Sequence, residues 1–263
     1  MRHILRQLGA DVFPLAVIPE TGLDVEALHE LPPDIDAIVV TPNHHYPLGA
    51  QLTTASRSAL LSWAAETSTP VLEDDYDSEF HYERPPVTPL RALDPGGVTL
   101  IGSFSKLLTP GLRCGWIIGS THLQSRLIAT RDALDLPVSL IQQEALATYL
   151  REGGLTRHVA RRRREYRHRR SLLHDAFRDN SEVAIAALQG GLHAVVTFNA
   201  DAATIHNELT HHGIHTALLS DYYIKQPAPQ GLVIGYAAAT GMDFATALAH
   251  IVRVISSALT HER

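Results

Sequence analysis

The segment SFSKLLTPGLRCGW, residues 103–116, sets Lys106 in a turn between serines and an arginine. Lysine is scarce in this chain: of 22 Lys and Arg residues, only Lys106 and Lys225 are lysines. A guanidinium keeps its proton, whereas an amine can lose one and attack a carbonyl. Lys106 is therefore a candidate nucleophile, weighed against the ordinary alternative of a solvated surface lysine. Its neighbours are those an amine would need to hold an aldehyde that carries a phosphate. Ser103 and Ser105 offer hydroxyls, and Arg113 lies just past a Pro110-Gly111 bend that can turn it back toward them. A pyridine ring used as an electron sink also wants a carboxylate on its ring nitrogen. The stretch VLEDDYDSEF supplies Asp74 at the end of a strand-like run, and Tyr76, two residues on, could donate to a ring phenolate. Each piece alone is weak; together, each following a strand, they outweigh the surface-lysine reading.

The surrounding pattern must place those pieces. ADVFPLAVI reads as a strand, VEALHEL as a short helix, DAIVVT as a buried strand, ASRSALLSWAAET as a helix and TPVLED as the next strand. VTLIGS and CGWIIGS form a closely spaced pair around the lysine turn. Strands alternating with helices predict an α/β domain with a largely parallel sheet, whose ligands gather at the strand C-termini. NHHYPLG, DDYDSEF and SFSKLL each follow a strand and are expected at one sheet edge. After residue 120 the pattern turns helical, through THLQSRLIATRDAL, SLIQQEALATYLRE and an arginine-rich segment. GGLHAVVTF, IHTALL and GLVIGYA then read as strands of a small α/β unit, with ATIHNELTHHG and DFATALAHIVRVISSAL as its helices. The expected division is residues 1–155 and 156–263, the second part including the long inter-domain helix. RRRREYRHRR, residues 161–170, spreads its charges around most of a helix and is expected to be a solvated face rather than a focused basic stripe.

Composition narrows the function classes. With 263 residues, 45% hydrophobic and 19% charged, the chain can bury a large core. A net charge of −6 argues against a general nucleic-acid or anionic-membrane binder. One cysteine, Cys114, excludes an internal disulfide and fits the cytoplasm. The N-terminus makes a poor signal peptide, and no run is long enough to span a bilayer. The 16 histidines are scattered without metal-ligand spacing and are expected mostly at the surface, with no metal bound.

EDDYDSEFHY, RALDP and VTLIGSFSKLLTPGLRCGW resemble the aminotransferase-type domain of MocR-type regulators, members of the fold type I pyridoxal-phosphate superfamily. GLDVEAL and VTPNHHYPLG upstream, and GGLHAVV and GLVIGYAA downstream, extend the resemblance over nearly the whole chain. It implies the large pyridoxal-phosphate-binding domain of that fold, incomplete and mostly parallel, followed by the small C-terminal domain. It also implies that Lys106 forms the internal aldimine and Asp74 pairs with the pyridine nitrogen. Tyr76 would meet the 3-oxygen, and Ser103, Ser105 and Arg113 would hold the phosphate of pyridoxal 5′-phosphate.

The chain departs from the family pattern in three places. Met1 falls where family members have already passed a winged-helix DNA-binding domain, a phosphate-binding turn and a ring-stacking aromatic residue. Tyr46 stands where the Asn-Pro-x-Gly motif has asparagine, so it either replaces that contact or simply packs. Gly231 and Leu232 stand where an arginine commonly binds the substrate α-carboxylate. Two functions are compatible with this: a pyridoxal-phosphate-dependent aminotransferase, or the effector-sensing domain (or an inactive fragment) of a regulator without its DNA-binding part. Either would take a small compound bearing an amino group. The chain alone is expected to bind neither nucleic acid nor membrane, to hold the cofactor poorly, and to form a homodimer once the missing segment is supplied.

Overall fold

The computed structural model describes residues 2–82, 87–224, 227–237 and 242–261. Lys225 lies outside the described residues. The first unit runs through helix α1 (Arg2–Gln7), β1 (Ile38–Val40), α2 (Thr54–Thr67), β2 (Val71–Asp75), α3 (Leu90–Leu93), β3 (Val98–Ser103), the single turn α4 (Phe104–Leu107) and β4 (Gly115–Ile118). Helices α5 (Thr121–Ala133), α6 (Leu140–Arg151) and α7 (Gly154–Phe177) follow. The chain ends with β5 (Val183–Ala186), β6 (His193–Phe198), α8 (Ala202–His211), β7 (Ala217–Leu218), β8 (Gly231–Gly235) and α9 (Phe244–His261).

Two four-stranded sheets result, in the orders β1-β2-β3-β4 and β5-β6-β8-β7. In the first, β1, β2 and β3 are parallel, and β4 returns antiparallel to β3. The α/β architecture and mostly parallel first sheet agree with the sequence reading, and the second sheet is antiparallel throughout. Two expectations at the level of single strands need correction. ADVFPLAVI carries no strand: Pro14 removes a ladder donor, and an isolated apolar run gains no strand stability without a neighbour. Val183–Ala186 does form a strand, β5, although its small Ala-rich run gives little signal. Its register is imposed by pairing with β6, Val183 facing Phe198.

Helix α2 shows how the first core is built. Thr53 caps it by accepting from Ser56 N at 3.1 Å, and the helix stops at Ser68 in the left-handed region. Leu60, Trp63 and Ala64 are then buried against Ile38, Val40, Val71 and Val98 of the strands. A larger core lies around β6 and β8, where Ile205 and Leu209 of α8 and Ile251 and Ile255 of α9 pack on Val196 and Leu232. Phe80, Phe104 and Leu107 of the first unit belong to that same cluster. The turn α4 is therefore pinned by its two apolar residues, which leaves Lys106 between them exposed.

The arginine-rich segment lies on α7, and it is less solvated than expected. Arg163 donates to Glu79 O at 2.6 and 3.0 Å, Arg169 to Tyr236 O at 3.0 Å, and Arg170 to Leu188 O. Those carbonyls lie in both halves of the chain, so α7 clamps them together. Arg161, Arg164 and Arg167 face solvent.

Buried polar groups fix the loops after the strands. Glu73, fully buried in β2, accepts from Leu90 N and Arg91 N, both at 2.9 Å, and so holds the start of α3. Arg57, 5% exposed, donates to Leu52 O, Thr88 O, Pro42 O and Asn43 Oδ1. That one guanidinium ties the loop after β1 to α2. Arg57→Ala strips four acceptors at once, and should cost about 3 kcal/mol of unfolding free energy, with little recovered by Arg57→Lys. Urea unfolding monitored by circular dichroism checks both values.

Candidate functional site

Parallel pairing places the C-terminal ends of β1, β2 and β3 at the same sheet edge, with Asp74 opposite Ile101 and Asp75 opposite Gly102. The three polar stretches expected there do follow those ends. Ser103 closes β3, and its Oγ accepts from Ser105 N at 3.1 Å, capping the turn that carries Lys106. The loop beyond is tied at its base by Phe104 N donating to Cys114 O at 3.1 Å, and Ser103 pairs with Gly115. Arg113 sits on the returning limb in a left-handed conformation, φ 46°. The bend thus returns the chain that carries Arg113 toward the end of β3. Gly102 has to be glycine, because a Cβ there would fall 2.1 Å from the Trp116 ring.

The three aspartates after β2 are not equivalent. Asp75 accepts from Ser78 Oγ at 2.8 Å, and Asp77, 3% exposed, lies 3.0 Å from His44 Nδ1. Asp74 makes no hydrogen bond or ion pair among the described residues, yet it is partly buried. Burial and then the charges of Asp75 and Asp77 push its pKa above the ordinary aspartate value. It is a half-buried carboxylate without a partner, which a protonated ring nitrogen would satisfy. The Lys106 amine and the Arg113 guanidinium, both on exposed residues, likewise have no hydrogen-bond or ion-pair partner among the described residues.

The two tyrosine hydroxyls are both hydrogen-bonded within the chain. The Tyr76 hydroxyl donates to His44 O at 2.8 Å and lies 3.3 Å from His44 Nδ1. Tyr46 reaches across to Tyr222, oxygen to oxygen 3.0 Å, and meets the His193 ring edge-on at 4.5 Å. Burial raises the pKa of both phenols well above the ordinary value, so both stay protonated donors at neutral pH.

Two histidines belong to the site that sequence reasoning had left at the surface. His44 and His193 are 6% and 4% exposed, with ring centroids 5.0 Å apart. His193 Nε2 donates to Pro47 O at 2.8 Å. Burial, the neighbouring His44 and the nearby Lys106 charge hold its pKa down, to about 4, so it is neutral at pH 7. Asp77 is the buried partner of His44. The available signal was the pair NHHYPLG and GGLHAVV, each with a histidine next to a glycine-marked turn. Among the described residues there is no cluster of metal-ligating side chains, and no helix is long and apolar enough to cross a membrane.

The family model for "Aminotransferase class I and II" matches residues 1–251. The chain belongs to the aminotransferase class I and II family. It is 39% identical over 237 residues to the HTH-type pyridoxine biosynthesis transcriptional regulator PdxR of Corynebacterium glutamicum, covering 90% of this chain and 51% of that protein. To the rhizopine catabolism regulatory protein MocR of Rhizobium meliloti it is 30% identical over 241 residues, covering 90% and 48%. The chain thus spans about half the length of the curated relatives it matches. Among solved structures, LysN, the α-aminoadipate aminotransferase of Thermus thermophilus complexed with N-(5′-phosphopyridoxyl)-L-leucine, superposes with a TM-score of 0.84. The identity is 22%, with 97% of this chain and 68% of that one covered. That likeness establishes the fold type I aminotransferase architecture.

Asp74→Asn and Asp77→Asn should affect stability differently. Neutralising the unpartnered Asp74 should leave the unfolding free energy unchanged or raised, since the folded state disfavours its charge. Asp77→Asn weakens a buried charge-assisted bond to His44 and should cost about 1–3 kcal/mol. Parallel denaturation curves at pH 7 read both changes.

Proposed function

We propose that this chain binds pyridoxal phosphate through Lys106 and serves as the effector-sensing, aminotransferase-type domain of a MocR-type regulator. Pyridoxal phosphate is the cofactor that its family implies, and the half-buried Asp74 near the end of β2, with Lys106 exposed in the turn after the adjacent β3, supports the reading most directly. The residues present fit the group. Lys106 is the attachment point for the aldehyde, and its amine can take and return a proton at the carbon next to a bound amino group. Asp74 keeps the ring nitrogen protonated. The hydroxyls of Ser103 and Ser105 and the guanidinium of Arg113 hold the phosphate. Tyr76 donates to the ring 3-oxygen, and Tyr46 closes the same side of the cleft with Tyr222. When bound, the cofactor supplies an electron sink for bonds at that carbon. The ligand sensed is a small compound with an amino group, and a homodimer is the working assembly.

Regulation rather than turnover is favoured by two observations. Both regulators named above carry comparable sequence, and no residue of β8, Gly231–Gly235, is an arginine that could pair with a substrate carboxylate. An active aminotransferase is the second reading, and the retained Lys106 and Asp74 favour it. A panel of common α-amino acids and 2-oxo acids, added to the chain with pyridoxal phosphate, separates the two. Sensing predicts turnover below about 0.01 s⁻¹, against the 1–1000 s⁻¹ usual for enzymes. Sustained turnover within the usual range would make the chain an enzyme.

A further inference from the structure

The strongest feature outside the assigned residues is the buried group behind Tyr76. His44 Nδ1 lies 3.0 Å from Asp77 Oδ2 and 3.3 Å from the Tyr76 oxygen. A carboxylate can only accept, so Nδ1 carries a hydrogen directed at Asp77 and shared with the phenol oxygen. The Tyr76 proton is turned toward His44 O, 2.8 Å away. The phenol therefore has one proton to give, with its oxygen bracketed by two atoms of a single residue.

That residue is itself held from three sides. Asp77 fixes one edge of the ring. Gly191, at φ 75°, lies against it so closely that a Cβ there would fall 2.1 Å from His44 Cε1 and 2.8 Å from Asp77 Oδ2. Gly191 O is in turn fixed by the hydroxyls of Tyr82 at 2.8 Å and Tyr236 at 2.9 Å. Among the described residues His44 Nε2 has no hydrogen-bond partner, and a Cβ on Gly49 would come within 3.3 Å of it. Leaving a buried nitrogen unsatisfied costs free energy, so packing alone is a poor account of a histidine here. Other ionisable groups facing the pair include His193, at 5.0 Å ring to ring with His44, His45 beside His44, and Asp75, Glu79, Tyr82 and Tyr236 acting with Asp77, while Asp74 and Tyr46 act on the Tyr76 phenol.

We propose that His44, anchored by Asp77, is the positioning residue for Tyr76. Its Nδ1–H holds the phenol oxygen still while the phenol proton turns from His44 O to the ring 3-oxygen of the bound cofactor. This rests on the pyridoxal-phosphate reading given above and adds a role for two residues which that reading does not use.

The test follows the pH midpoint of the visible band that forms when pyridoxal phosphate is added to the full chain. A hydroxyl donating to the ring oxygen stabilises the form of the chromophore that has lost its proton, so a misplaced phenol raises the midpoint. His44→Leu should raise it by about one pH unit, as should Tyr76→Phe. His44→Asn, which keeps an N–H donor near the Nδ1 position, should restore most of the parent value. His44→Leu added to Tyr76→Phe should give no further shift, because the first acts only through the second. If His44→Leu loses its circular dichroism spectrum, Asp77→Asn is titrated in its place with the same expectation. A parent midpoint retained in the folded His44 or Asp77 variant overturns this inference alone, as does a shift that persists undiminished in the Tyr76→Phe background. A parent chain that shows no visible band overturns both this inference and the cofactor reading beneath it.

Discussion

Parallel pairing of β2 with β3 is the constraint on which the site depends. It forces two strands far apart in sequence to end at one edge, so that Asp74 leaves β2 beside the point where Ser103 leaves β3. The antiparallel return of β4 then folds the lysine loop back on itself, so that Ser103 faces Gly115. No local preference could do this, because a four-residue helical turn is too short to be stable in isolation. The turn holds because Phe104 and Leu107 are sunk in the core shared with β6 and β8. Lys106 is thus a free amine on a fixed support.

The electrostatics follow from the same arrangement. Each carboxylate at the sheet edge is given a partner except Asp74: Glu73 caps α3, Asp75 takes Ser78 and Asp77 takes His44. Crowding the remaining carboxylate beside two others raises its pKa and leaves it poised for a cationic partner. His193 is kept neutral at pH 7 by burial, by the neighbouring His44 and by the Lys106 charge.

The central sheet and its motif were legible in the sequence because both are written in short-range signals. β1, β2 and β3 show as apolar runs ending in polar loops, and Lys106 shows as a lysine in an arginine-biased chain. Asp74 shows as an acidic residue at a strand end. What could not be read are contacts between segments distant in sequence: His193 with Pro47, 146 residues apart, and Tyr46 with Tyr222, 176 apart. A histidine's identity does not reveal whether it is exposed or sealed under a glycine from a distant loop, as His44 is under Gly191. The same holds for Tyr76, whose residue type was readable but whose bond to His44 O was not. The strand expected at residues 10–18 fails for the complementary reason. Apolar composition is local, whereas a strand needs a neighbour.

The central claim is that one amine, on α4 in the turn after β3, carries the cofactor. The most direct measurement is borohydride reduction of the chain after incubation with pyridoxal phosphate, followed by peptide mass spectrometry. The account predicts a single stable adduct on the peptide containing Lys106, absent from Lys106→Ala and from Lys106→Arg, which keeps the charge but loses the nucleophile. An adduct centred on Lys225, or one that survives in Lys106→Ala, would contradict it.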